Sequence, residues 1–303
     1  MTLDLHGVIP PLVTPIDADG EVDRRSLERL ISFQLDAGVH GVFLGGSTGE
    51  IALLDGARQA VALETAVGTV AGAVPVLAGA VETGTLRVIE RARQAAALGA
   101  DGIVVTPPFY VKPNAAEVVE HYRLVHAAVD RPVIAYDIPS AVGTRLTPDI
   151  VVELAESKFA VALKDSSGDL ATFREILRRT NGFPALTGSE VLADTAIGLG
   201  AAGLVPGLGN VDPHGYVRLF TAARDGDRER ASAEQDRLAR LFEIISVADR
   251  GRIGFTAGAL GSFKAALALR GVIANPATNP PLSPLREGEV GAIRDILTEV
   301  GLG

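Results

Sequence analysis

Short apolar runs rich in Val, Ile and Ala alternate with longer segments of helical period along most of this chain. Runs that are apolar on both faces suit parallel strands covered by helices, whereas an antiparallel sheet with one wet face would alternate apolar and polar residues. The pattern predicts strands at residues 7–14, 41–46, 76–80, 102–106, 133–137, 160–164, 185–188 and 203–205. Amphipathic stretches lie between them, among them residues 24–37, 57–71, 86–98 and 117–128. One sub-motif recurs as Gly38-Val39-His40-Gly41, Gly99-Ala100-Asp101-Gly102 and Gly200-Ala201-Ala202-Gly203, each copy followed by an apolar run. The first glycine of each suits the left-handed end of a helix, and the second opens the next buried strand. Right-handed βαβ units either wind into an open sheet or close on themselves, and eight of them favour closure into a (β/α)8 TIM barrel.

The rhythm changes after residue 225. Residues 228–247 read as one long helix and 255–270 as another, and a proline-rich segment from Asn275 to Pro284 leads into a last helix at 287–300. The expected organisation is a barrel over residues 1–225 and a C-terminal helical extension over 226–303, docked on the barrel without a flexible linker. With 47% hydrophobic and 21% charged residues, the 303-residue chain can bury a large core. Its net charge of −9 disfavours nucleic-acid binding, because phosphates need a basic face. The absence of Cys excludes disulfides, thiolate nucleophiles and Cys-ligated metals. No signal peptide and no apolar run of about 18 to 20 residues is evident, so the expected setting is cytoplasmic, with no membrane partner.

A parallel barrel carries its active site at the carboxyl ends of its strands. Four ends attract notice: Gly45-Gly46-Ser47-Thr48-Gly49-Glu50, Thr106-Pro107-Pro108-Phe109-Tyr110, Tyr136-Asp137-Ile138-Pro139 and Leu163-Lys164-Asp165-Ser166-Ser167-Gly168. Lys164 ends a buried apolar strand, where burial depresses an amine's pKa and makes it a nucleophile toward carbonyl carbon. The plain alternative is a lysine marking the strand's exit, paired with Asp165 or snorkelling. The glycine-rich turn at 45–49 offers backbone N–H groups to an anion, carboxylate as well as phosphate, but lacks the lysine of a P-loop. Tyr136 can shuttle a proton, or can merely pack at a barrel mouth with its hydroxyl wet. His121 and His126 are five residues apart and face different sides of a helix, so no metal is expected. Gly207-Leu208-Gly209-Asn210 is a weak glycine signal that gives room for close backbone approach, or a phosphate site in a third reading.

Together and in this order, Gly46-Ser47-Thr48-Gly49-Glu50, Tyr136-Asp137-Ile138-Pro139 with Gly143, and Leu163-Lys164-Asp165-Ser166-Ser167-Gly168-Asp169 closely resemble the dihydrodipicolinate synthase / N-acetylneuraminate lyase family. The likeness runs from about His6 to Leu285. It implies a TIM barrel with a helical C-terminal extension, a cofactor-free class I aldolase or lyase acting through a Schiff base on pyruvate or another 2-oxo acid, and a homotetramer built as a dimer of dimers. It further implies that Lys164 is the Schiff-base lysine and Tyr136 the proton-relaying tyrosine. Ser47 and Thr48, with Gly46, would hold the 2-oxo acid carboxylate and complete the proton relay, so that Ser47 is catalytic as well as substrate-binding. Tyr110 matches a tyrosine that in several members reaches into a neighbouring subunit's site. Val205 matches the apolar residue beside the pyruvyl group, and Gly188 and Glu190 fall at the substrate-binding loop after the seventh strand.

The chain departs from the family pattern at several points. Ala141 stands where the synthases carry an arginine for the aldehyde substrate's carboxylate, which removes a bidentate cation. Asp137 replaces the usual Asn, Ile51 and Gly56 fall where many synthases bind feedback lysine, and Val191 follows Glu190 where sialic-acid lyases have a second acid. By elimination the expected substrate is a sugar acid of the 2-keto-3-deoxy-gluconate kind, in an aldolase or dehydratase reaction. The alternatives are 4-hydroxy-tetrahydrodipicolinate synthase and a non-catalytic 2-oxo acid binding protein.

Overall fold

The computed structural model describes residues 3–303. Eight parallel strands form one sheet: β1 (Gly7–Val8), β2 (Val42–Leu44), β3 (Val76–Ala80), β4 (Gly102–Val105), β5 (Val133–Asp137), β6 (Ala162–Asp165), β7 (Ala185–Thr187) and β8 (Gly203–Leu204). Their order is β1-β8-β7-β6-β5-β4-β3-β2. The ring closes just past β1, where Leu12 N–H donates to the Phe43 carbonyl at 2.8 Å and Phe43 N–H to the Pro10 carbonyl at 3.0 Å. Asn210 staples the same edge: its amide nitrogen donates to the Pro11 carbonyl and its oxygen accepts from Val13 N–H.

The helices that follow β1 to β8 wrap the ring: α1 (Arg24–Asp36), α2 (Gly56–Val70), α3 (Thr85–Ala97), α4 (Ala115–Ala128), α5 (Pro139–Val142), α6 (Pro148–Glu156), α7 (Leu170–Arg179), α8 (Ala193–Gly198) and α9 (Pro213–Arg224). Three further helices follow, α10 (Arg228–Phe242), α11 (Phe255–Leu269) and α12 (Glu287–Glu299). Their Leu238, Leu241, Phe263, Ala266 and Ile293 share one apolar core with barrel residues such as Val42, Ala78 and Leu163.

The sequence-predicted strands begin within two residues of the observed ones, but several elements come out shorter, the first strand and the helix predicted from residue 228 by the most. The first strand is predicted to run to Thr14 but is continuous only over Gly7–Val8 and then continues as an isolated bridge at Pro11, because Pro10 and Pro11 have no N–H to give an unbroken ladder. The helix predicted over 228–247 ends at Phe242 and tightens into a 3-10 turn at Glu243–Ser246. The three repeated glycines Gly38, Gly99 and Gly200 all take positive φ, as the repeat predicts.

Strand parity decides which side chains enter the barrel. Ile9, Phe43, Leu77, Val104, Ile134, Ala162, Leu186 and Val205 form a cluster separate from the outer core that holds Val42, Leu44, Ala78, Ala135 and Leu163. Side chains two apart on a strand share a face. Lys164 therefore shares the inner face with Ala162, and Tyr136 with Ile134, which puts both at the C-terminal mouth.

Candidate active site

Tyr136 and Lys164 are register partners on β5 and β6, so their inward side chains meet by construction. The Lys164 amine lies 3.7 Å from the centroid of the Tyr136 ring and 5.2 Å from that of Phe43, and the residue is only 5% exposed. It does not pair with the neighbouring Asp165, whose carboxylate points outward and accepts from Ser167 N–H at 3.0 Å. The reading of Lys164 as a strand-exit lysine therefore fails.

Burial pushes the Tyr136 phenol up. The Lys164 charge opposes this, as do hydrogen bonds with Lys164, Ser47 and Ser166, and the balance leaves its pKa below the ordinary phenol value. Two glycines make that arrangement possible. A Cβ on Gly188 would stand 2.3 Å from the Ser166 hydroxyl, and one on Gly46 would stand 2.7 Å from the Phe43 ring. Both positions must lack a side chain for Ser166 and Phe43 to lie where they do. Val205 joins Tyr136 in the barrel-interior cluster, which makes one wall of the site apolar.

The turn bearing Ser47 and Thr48 is coiled on itself. Gly49 N–H donates to the Gly46 carbonyl at 3.0 Å, Glu50 N–H to the Ser47 carbonyl at 3.1 Å, and the Thr14 hydroxyl to the Gly49 carbonyl at 2.8 Å. Opposite it, a Cβ on Gly207 would lie 3.4 Å from the Thr48 hydroxyl and 3.1 Å from Glu190 Oε1. Glu190 therefore lies across Gly207 from Thr48, but its carboxylate is engaged by Gly207 N–H at 2.8 Å, Leu208 N–H at 3.3 Å and the Tyr216 hydroxyl at 3.0 Å. Burial raises its pKa to about 7 against these hydrogen bonds and the Lys164 charge. The Gly207 and Leu208 donors that a phosphate would need are thus already committed, which removes the basis of the phosphate reading.

Tyr110 stands apart from this group. It is 96% exposed and takes a φ of 70°, so within a single chain its phenol faces solvent. His121 is buried against the Thr85 hydroxyl at 2.9 Å, with burial driving its pKa down to about 4, while His126 is exposed. Among the described residues no group of three or more His, Cys, Asp or Glu is placed to hold a metal. Nor is any described helix long and apolar enough to cross a membrane.

Sequence reasoning missed several residues around the site. Arg145, in the loop after β5, faces the carboxylates of Asp137 at 3.6 Å and Asp169 at 3.4 Å. Glu50 is buried against Lys264 of α11. A lone lysine in the otherwise apolar segment from Ala257 to Leu269 is the signal that could have found the latter.

A parallel barrel with a buried lysine and tyrosine side by side at its C-terminal mouth defines a class of enzymes built to work on a carbonyl compound. The sequence matches the model of the dihydrodipicolinate synthetase family over residues 4–300, and the chain belongs to that family and is one of its lyases. It is 39% identical over 300 residues to an uncharacterised DapA-like lyase of Halobacterium salinarum, covering 99% of this chain and 95% of that one. It is 33% identical to the 4-hydroxy-tetrahydrodipicolinate synthase of Methanosphaerula palustris, over 97% of this chain and 98% of the relative. Among solved structures it superposes with a TM-score of 0.91, at 30% identity and 99% coverage of both chains, on YagE, a prophage protein of the same family from E. coli K12 in complex with pyruvate. The dihydrodipicolinate synthase of Bacteroides thetaiotaomicron gives a TM-score of 0.92 at 29% identity, covering 99% of this chain and 100% of that one.

Proposed function

We propose that this protein is a Schiff-base lyase for pyruvate or a related 2-oxo acid, with a 2-keto-3-deoxy sugar acid as the molecule cleaved, formed or dehydrated. The observation that carries this reading is the sheltered Lys164 amine beside the Tyr136 phenol, with Ser47 and Ser166 on that phenol. Lys164 attacks C2 of the 2-oxo acid as the free amine. Tyr136 passes a proton to the carbinolamine oxygen, water leaves, and a protonated imine forms. That imine keeps a positive charge beside the Tyr136 ring and draws electrons from C3, where the bond to the second fragment breaks or forms. Ser47 and Thr48, with the backbone of their turn, hold the carboxylate, and Val205 lies beside the pyruvyl carbons. Assembly as a homotetramer, with Tyr110 covered by a second subunit, belongs to this reading, as does a cytoplasmic setting.

The sugar-acid assignment draws on the loop after β5. Ala141 supplies no cation there, and the loop's one arginine, Arg145, is turned to Asp137 and Asp169. A site for an aldehyde bearing its own carboxylate would keep a guanidinium free to bind it.

Borohydride reduction in the presence of pyruvate tests the chemistry. The expected result is a mass increase on the peptide that contains Lys164 and none in Lys164→Ala. No adduct on the wild-type protein with any 2-oxo acid of a panel would overturn the reading. Product analysis with 2-keto-3-deoxy sugar acids, and with pyruvate plus aspartate semialdehyde, then separates a sugar-acid lyase from a synthase.

A further inference from the structure

Glu50 and Lys264 form an ion pair in which neither side chain has any exposed surface. Such a pair is costly to bury unless its remaining donors and acceptors are used. Here they are. The second Glu50 oxygen accepts from Asn279 N–H at 2.7 Å and from its side-chain amide at 2.9 Å, and the Lys264 amine also donates to the Ala277 carbonyl at 2.8 Å. Glu50 closes the turn that carries Ser47 and Thr48, and its φ of 60° is a conformation that a side chain other than glycine's adopts only when its surroundings hold it there. The residue before Lys264 reaches the opposite wall: the Phe263 ring lies 3.1 Å from the Cβ position of Gly207, in the turn that Glu190 accepts from. Adjacent residues of α11 therefore brace, from the C-terminal extension, the turn that ends at Glu50 and the turn that bears Gly207.

We propose that Lys264 is a positioning residue: through Glu50, and with Asn279, it clamps the Gly46–Glu50 turn in the shape that lets Ser47 and Thr48 receive the 2-oxo acid carboxylate. This rests on the function proposed above. The clamp touches neither substrate nor Lys164, so its loss weakens capture of the 2-oxo acid while the covalent step survives at saturation.

The test titrates pyruvate against the borohydride-trapped fraction in the wild type, in Lys264→Met, in Asn279→Ala and in the double variant Glu50→Gln/Lys264→Met. Lys264→Met strands a buried carboxylate and is the variant most prone to misfold. The double variant removes both charges and keeps the volume, and Asn279→Ala leaves the ion pair in place. The expected result is a half-saturating pyruvate concentration raised on the order of tenfold or more in the folded double variant, with full labelling of Lys164 at saturation, because small displacements of positioning groups carry penalties of this order. Asn279→Ala should show a smaller rise in the same direction. Half-saturation equal to wild type in the folded double variant and in Asn279→Ala, with only a lowered melting temperature, would overturn the positioning role and leave a purely structural ion pair. Absence of any adduct on the wild type would instead overturn the function and the clamp together.

Discussion

At the scale of single residues, the outward-facing neighbours of Tyr136 and Lys164, the proposed catalytic pair, are as informative as the pair itself. Asp137 and Asp165 are register partners one step beyond Tyr136 and Lys164, and both are buried. Burial raises the Asp137 pKa to about 6; Leu146 N–H and Arg145 lower it, and the nearby Asp165 raises it further. A carboxyl raised in this way holds its proton in the folded state at pH values where the unfolded chain has released it. Stability therefore falls as pH rises from about 4 to about 6, by roughly 2–3 kcal/mol from this group alone. In Asp137→Asn this contribution vanishes, while the amide oxygen can still accept from Leu146 N–H. The melting temperature of the variant relative to wild type should rise between pH 4 and pH 7. A difference that does not change with pH would mean that Asp137 does not titrate in this window.

At the scale of elements, what the sequence reveals and what it hides have different physical origins. The strand starts, the placing of Lys164 and Tyr136 at strand ends and the glycine-ended repeats are local patterns, written in short apolar runs, period 3.6 and left-handed turns, and they agree with the structure. The nearness of Ser47, Tyr136 and Lys164 was legible for a related reason: each residue sits at a strand's carboxyl end or in the turn after it, and barrel closure brings those ends together. The bond from Glu50 to Lys264 spans the chain from the second βα turn to the eleventh helix, and no local period encodes it. The truncation of β1 was encoded, in Pro10 and Pro11, but lies hidden under an apolar pattern that continues past them. Close backbone packing is hidden as well. A Cβ on Gly79 of β3 would stand 1.9 Å from the Gly45 carbonyl at the end of β2, so the two strands cannot keep their spacing around any side chain there. Gly79→Ala should destabilise the protein by about 1–3 kcal/mol, the usual cost of overpacking, and should impair pyruvate trapping by displacing the turn that follows Gly45. Thermal unfolding and the trapping titration check both effects. Wild-type behaviour in both would show that β2 and β3 can separate here without consequence.

At the scale of the whole molecule, three exposed apolar residues lie just after two neighbouring strands. Leu86 at the start of α3 is 82% exposed, and Tyr110 and Val111 in the loop after β4 are 96% and 57% exposed. All three follow neighbouring strands β3 and β4 at the same end of the barrel, near the mouth that holds Lys164. A large aromatic ring held at positive φ in full contact with water gains nothing from folding of its own chain. It gains if a second copy covers it, which is the proposed subunit contact. Light scattering on the purified protein should then read four times the chain mass of 31.4 kDa. Tyr110→Ala should shift the assembly toward smaller species, and Tyr110→Phe should preserve assembly while lowering turnover if the phenol completes a neighbour's proton relay. The two variants separate burial from chemistry: equal loss of activity with an unchanged mass would assign Tyr110 to the relay alone. A wild-type mass of a single chain together with full pyruvate trapping would show that the site is complete without a neighbour.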